Sequence, residues 1–103
     1  MDNLWIMIVY GHTIIFQLNS NYQKTEIKNH KIEVVGRVID QYRTANQQPY
    51  IRYEYSFEGI TYQSIESLDK KPGNFLHKYY KVNISERKPH FSIILLDKEV
   101  NLL

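Results

Sequence analysis

Fifteen residues, Tyr50 to Ser64 (YIRYEYSFEGITYQS), constrain this chain more than any others. Ile51, Tyr53, Tyr55 and Phe57 alternate with Arg52, Glu54 and Ser56. Glu58-Gly59 then interrupts, and Ile60 and Tyr62 resume the alternation. Alternation at period two on both sides of a two-residue, Gly-containing break predicts a β-hairpin. A two-residue loop sets Phe57 opposite Ile60 and Tyr55 opposite Tyr62, so the large side chains share one face and Arg52, Glu54, Thr61 and Gln63 take the other. A slip of one residue would throw every aromatic ring into solvent, so the pattern predicts the register as well as the turn.

The rest of the chain fits a β-rich reading. Ile32 to Tyr42 (IEVVGRVIDQY) is dense in β-branched residues around Gly36, which predicts a strand with a bulge or bend at the glycine. Arg43 to Gln48 reads as a polar loop leading to Pro49. Ile65 to Lys78 carries the Pro72-Gly73 turn signal and no period, so it reads as a long, mobile connection. Tyr80, Val82 and Ile84 alternate with polar residues, and His90 to Leu96 follows Pro89 as a last strand. With 103 residues there is room for one core. The expected fold is therefore mainly β, a small curled antiparallel sheet or partly open barrel of about five strands, because so small a sheet must protect its edges.

The N-terminal segment resists assignment by period. From Leu4 to Leu18 the chain is mostly apolar, and no charged side chain occurs between Asp2 and Lys24. As a helix, these residues would reach about 22 Å, short of the roughly 30 Å hydrocarbon core. No basic residue precedes the run, and no small-residue cleavage site follows it, which disfavours a secretory signal. Either a helix that spans or lies on a membrane or packs on a partner, or core strands or a buried helix, satisfies the pattern. The helical reading is preferred here. Residues 1–31 are then an apolar segment and polar connector, and residues 32–103 the β-domain.

Sites for chemistry are scarce. No cysteine is present, so disulfides, thiolate metal sites and cysteine nucleophiles are excluded. His12, His30, His77 and His90 stand apart, without the convergent spacing a zinc site needs. Asp40, Glu54, Glu58, Glu66 and Asp69 could pair as acid and base, but Glu54 falls on the polar face of the hairpin and Glu58 in its turn. The four glycines are scattered and cradle no phosphate. Tyr50, Tyr53, Tyr55, Tyr62, Tyr79 and Tyr80 suggest base stacking, yet three of them share the core face. Thirteen Lys and Arg against eleven Asp and Glu, interleaved, give no basic stripe. Asn83-Ile84-Ser85 matches a glycosylation triplet but falls within an expected strand.

Three stretches, VVGRVID (Val34 to Asp40), YIRYEYSFEGITYQS, and YYKVNISERKPHFSIILL (Tyr79 to Leu96), resemble in order the motifs of the DUF3592-like family of small bacterial β-domains of unknown function. The resemblance covers residues 32–97. Two features depart from it: the glycine before Tyr79 is displaced to Gly73, and Ser85 to Lys88 lacks a proline. It implies a small β-domain, often beside a hydrophobic membrane segment, and no activity or functional residue.

The expectation is a non-enzymatic, protein-binding β-domain with no cofactor, no metal, no nucleic acid and no small-molecule substrate. Leu4, Trp5, Ile6, Ile8, Val9, Ile14, Ile15 and Phe16 would contact a membrane or a partner. The chain would be membrane-anchored through residues 4–22 or an accessory subunit of a larger assembly. The alternative is a soluble, cytoplasmic inhibitor or immunity-type protein that presents the loop Lys70 to Phe75.

Overall fold

In the computed structural model, residues 5–10, 12–17, 21–69 and 72–102 are described. Five antiparallel strands form one sheet: β3 (Lys31–Arg43), β4 (Pro49–Phe57), β5 (Ile60–Ser67), β6 (Tyr79–Ser85) and β7 (Ser92–Val100), in the order β5-β4-β3-β6-β7. Two further strands, β1 (Trp5–Tyr10) and β2 (His12–Gln17), pair as a second, antiparallel sheet, and a helix, α1 (Asn21–Asn29), links them to β3. The sheet curls without closing into a barrel. Its curl is visible in the hydroxyls of Tyr53 on β4 and Ser92 on β7, which meet at 2.8 Å across the inner face although β3 and β6 lie between their strands.

The hairpin has the register its alternation demands. Tyr55 pairs with Tyr62 and Phe57 with Ile60. Glu58 and Gly59 have φ of 53° and 81°, the two positive values of a type I′ turn, whose twist matches that of the flanking strands. Gly59 adopts this conformation without penalty, while Glu58 bears the Cβ strain of the left-handed region. Burial fades toward the turn. Ile51, Tyr53, Tyr55 and Tyr62 are buried, Phe57 is half-buried and Ile60 is exposed, so the aromatic face is deepest in mid-strand.

Strand β3 changes partner along its length. Lys31 to Arg37 pair with β6, and Arg37 to Arg43 pair with β4. The expected irregularity lies between Val38 and Asp40 rather than at Gly36. One extra residue there reverses the alternation. Val38 is buried and pairs with inward Tyr53, whereas Asp40 and Tyr42 pair with Arg52 and Tyr50 and turn outward. On that outer face Asp40 lies 3.8 Å from the Arg52 guanidinium, which also stands 5.9 Å from the Tyr42 ring centre. Gly36 has a different purpose. A Cβ there would lie 2.7 Å from Val82 Cγ2 and 3.3 Å from the Glu54 carbonyl oxygen, so only glycine admits this approach of three strands.

Where β6 stops, a loop takes its place beside β3. The Val38 N–H donates to the Lys78 carbonyl at 3.0 Å, and the His77 N–H donates to the Val38 carbonyl at 2.8 Å. The Gln41 side chain donates to the Gly73 carbonyl at 3.0 Å and accepts from the Phe75 N–H at 2.8 Å. Such bonds satisfy backbone groups that a strand would otherwise pair. Residues 73–78 are thus tied to β3, where the sequence suggested a free connection.

Three boundaries differ from the sequence reading. Residues 5–10 and 12–17 are strands, not the preferred helix; Ile6, Ile8, Val9, Thr13, Ile14 and Ile15 are β-branched, which favours a pleated backbone. Strand β5 continues to Ser67. Strand β7 starts at Ser92 and runs to Val100, through Asp97, Lys98 and Glu99, charges that an edge strand tolerates at its solvent side.

Candidate binding surface

The expected contact residues fall on the small N-terminal sheet. Trp5 pairs with Gln17, Ile6 with Phe16, Ile8 with Ile14 and Val9 with Thr13; Ile15 pairs with Met7. Leu4 lies outside the described residues. The backbone of β2 runs alongside β5, the edge strand of the larger sheet, and β1 lies on the outer side of β2. This placement gathers all the named residues but Leu4 into one hairpin at the rim of the fold.

Inside the sheet, the groups richest in chemistry are tyrosines. The rings of Tyr53 and Tyr55 lie 6.1 Å apart at 29°, and those of Tyr55 and Tyr62 lie 5.4 Å apart at 18°. The Tyr53 hydroxyl bonds to Ser92 and Ser64, and the Tyr55 hydroxyl donates to the Pro89 carbonyl at 2.8 Å. These contacts join the β4–β5 hairpin to β7. Burial pushes the Tyr53 phenol up to about 12, against the smaller opposing effect of its serine bonds, and burial raises Tyr55 in the same direction. Rings this enclosed make a core rather than a stacking platform for bases.

Their buried phenols make stability depend on pH at the alkaline end. An unfolded tyrosine ionises near pH 10, while folded Tyr53 holds its proton to about pH 12. The unfolded state therefore binds fewer protons in this interval. Stabilisation is complete below pH 10 and is lost as pH rises toward 12. For Tyr53 alone the loss amounts to about 2–3 kcal/mol. Far-ultraviolet dichroism and tyrosinate absorbance, followed together, should show the buried phenols ionising with unfolding rather than before it, and Tyr53→Phe should flatten this alkaline limb.

The remaining candidates for chemistry do not converge. His30 lies by Arg87, His77 by Arg37, and His90 against the Phe91 ring at 4.5 Å. Burial and nearby Lys88 hold the His90 imidazole below its usual value. Glu54 accepts from Gln63 at 3.5 Å, and Glu58 occupies the turn. No three His, Cys, Asp or Glu side chains among the described residues are placed to hold a metal ion.

Several depressions mark the surface of the larger sheet among the described residues, and two of them gather polar side chains. One, of about 1010 Å³, lies at the end of the sheet between Gln41, Arg43, Gln48 and the turn at Pro72-Gly73. Of its polar lining, Gln41 is bonded to the backbone as above and Arg43 donates to the Gln47 carbonyl at 2.8 Å. A smaller cleft of about 470 Å³ separates the end of β5 from the start of β7, with Gln23 and Lys24 of α1 at its margin. In the smaller cleft the Ser67 hydroxyl donates to Asp69 Oδ1 at 3.2 Å and accepts from the Asp69 N–H at 3.3 Å, a local turn contact between residues two apart, and no histidine among the described residues lines either depression. Of the loop expected to serve an inhibitor, Lys70 and Lys71 lie outside the described residues, while Phe75 packs on Tyr80 with ring centres 5.9 Å apart.

Helix α1 falls in Asn19 to Lys31, which reads in the sequence as a polar connector or a helical extension. Two of its residues, Gln23 and Ile27, are buried against the sheet, while Tyr22, Lys24, Thr25, Lys28 and Asn29 are exposed. The i, i+4 spacing of the buried pair is the one signal that could have revealed docking. Among the described residues no helix is long and apolar enough to cross a membrane. No protein family, curated protein or solved structure matches the chain.

Proposed function

We propose that this chain is a non-enzymatic β-domain that binds another protein through its apolar N-terminal hairpin, as an accessory subunit of a larger assembly. The observation that carries the proposal is the position of β1. It is an uncharged, apolar strand (WIMIVY) paired with β2 on one side, and no strand among the described residues pairs with its other side. Such an edge is a template for a further strand or an apolar surface. Membrane association through residues 4–22 and the likeness of residues 32–97 to DUF3592-like domains belong to the same proposal.

A second reading is favoured by β2, whose backbone lies along β5 of the chain's own sheet. In that reading the hairpin completes the fold, and the protein is a soluble inhibitor or immunity-type protein.

Deletion of residues 1–18 separates the two. The cut must spare Tyr22, whose ring packs edge-on against Phe91 at 5.5 Å. On the first reading the shortened chain remains folded by dichroism and no longer sediments with its partner or with membranes. An unfolded product moves the soluble reading ahead, and a folded product that keeps its association removes the hairpin from the contact.

A further inference from the structure

Cations interleaved with acids along the sequence come together in space around α1. Lys24 and Lys28, four residues apart, are exposed along the helix, and Lys31 follows its C-terminal end. The β6–β7 loop brings two more cations to the same element: Arg87 reaches His30 Nε2 at 3.3 Å, and Lys88 Nζ donates to the Tyr22 hydroxyl at 2.6 Å. The loop is fixed there by the Glu86 N–H, which donates to the His30 carbonyl at 2.8 Å. Against these five cations stand Glu26 and Glu86, a surplus of three on this end when the whole chain carries +2. None of the five makes an ion pair among the described residues, unlike Arg52 with Asp40 and Lys81 with Glu33 on the strands. Arg87 and Lys88 are positioned instead by an imidazole nitrogen and a phenol oxygen rather than by a carboxylate.

We infer that the α1 end of the molecule, with Tyr22, Arg87 and Lys88 on one flank of the helix, Lys24 and Lys28 on the other and Lys31 beyond its C-terminal end, is a docking surface for an acidic polypeptide segment. Charge of one sign held un-neutralised on one end of a nearly neutral molecule attracts and orients a partner of opposite charge. The chemistry favours protein over the other polyanions. Tyr22 is the one large apolar side chain exposed on the helix, so the helix itself has no apolar stripe to insert into a bilayer. A lone exposed ring is no stacking platform for a nucleic-acid strand. Tyrosine and arginine side by side are, however, the residues that anchor protein interfaces. The inference goes beyond the hairpin contact, since it concerns a separate element and can fail while that contact stands.

The test uses the full-length protein and fluorescently labelled poly-L-glutamate, with binding read by anisotropy. Saturable binding is expected at low salt and should weaken as ionic strength rises. Lys28→Glu and Arg87→Glu should each weaken binding several-fold, and the double variant should abolish it. Lys98→Glu, on the far half of β7, should leave binding unchanged. Phosphatidylserine-containing vesicles and a single-stranded oligonucleotide, run in parallel, should bind more weakly than the polypeptide. Absence of poly-glutamate binding, an equal loss from Lys98→Glu, or preference for vesicles or the oligonucleotide would overturn the assignment.

Discussion

Tyr53→Ala should destabilise the domain by about 3–5 kcal/mol, the usual loss for truncating a buried aromatic ring. Tyr53 is 1% exposed, stacks on Tyr55 and ties β4 to β7 through Ser92. Against a typical total of about 5–15 kcal/mol, such a loss removes from about a fifth to nearly all of the stability. Urea denaturation should show the midpoint falling at unchanged slope. The ring and the hydroxyl separate in Tyr53→Phe, which keeps the packing but leaves the Ser92 hydroxyl, itself 4% exposed, without that partner, at about 1–3 kcal/mol. If Tyr53→Ala melted with the parent, the aromatic stack would not be the core of the sheet.

Gly36→Ala should cost about 1–3 kcal/mol even though alanine suits a strand at least as well as glycine. The added methyl meets Val82 Cγ2 at 2.7 Å, and Val82 is fully buried between Val34 and Ile94, so it has little room to withdraw. A cycle with Val82→Ala checks the cause. Removing the Val82 methyls relieves the clash, so the double variant should lose less than the sum of the two single losses. Additivity would show that Gly36 is required for some reason other than this contact.

What the sequence disclosed, and what it withheld, follows from how each element is exposed. The β4–β5 hairpin was legible because one face of each strand meets the core and the other meets water, which writes the period into the residues. Strand β6 was legible for the same reason. The apolar run at residues 5–17 carries little polar alternation, so neither period shows and the pattern could not separate a helix from strands. Gln23 and Ile27 are too few to produce an amphipathic signal, and α1 therefore read as a linker. Strand β7 was cut short at Leu96 because Asp97, Lys98 and Glu99 look like loop residues, although charges are what an exposed edge employs. The basic face escaped notice because it joins residues 22–31 to residues 86–91, and no linear pattern records a meeting across that interval.

Strand β3 also governs the order in which the chain can assemble. The strand is joined to β4 and β4 to β5 by short turns, and β6 with β7 forms a second local unit. Its own pairing with β6 joins Lys31 to Ser85 and therefore closes nearly the whole domain. Loop closure over such a span costs entropy before any contact repays it, and folds dominated by distant pairings form slowly. The tyrosine hairpin is accordingly the natural early structure. Because β3 also pairs locally with β4 across the short turn at residues 44–48, the costly step is the docking of the β6–β7 ribbon onto β3, which completes the cooperative sheet.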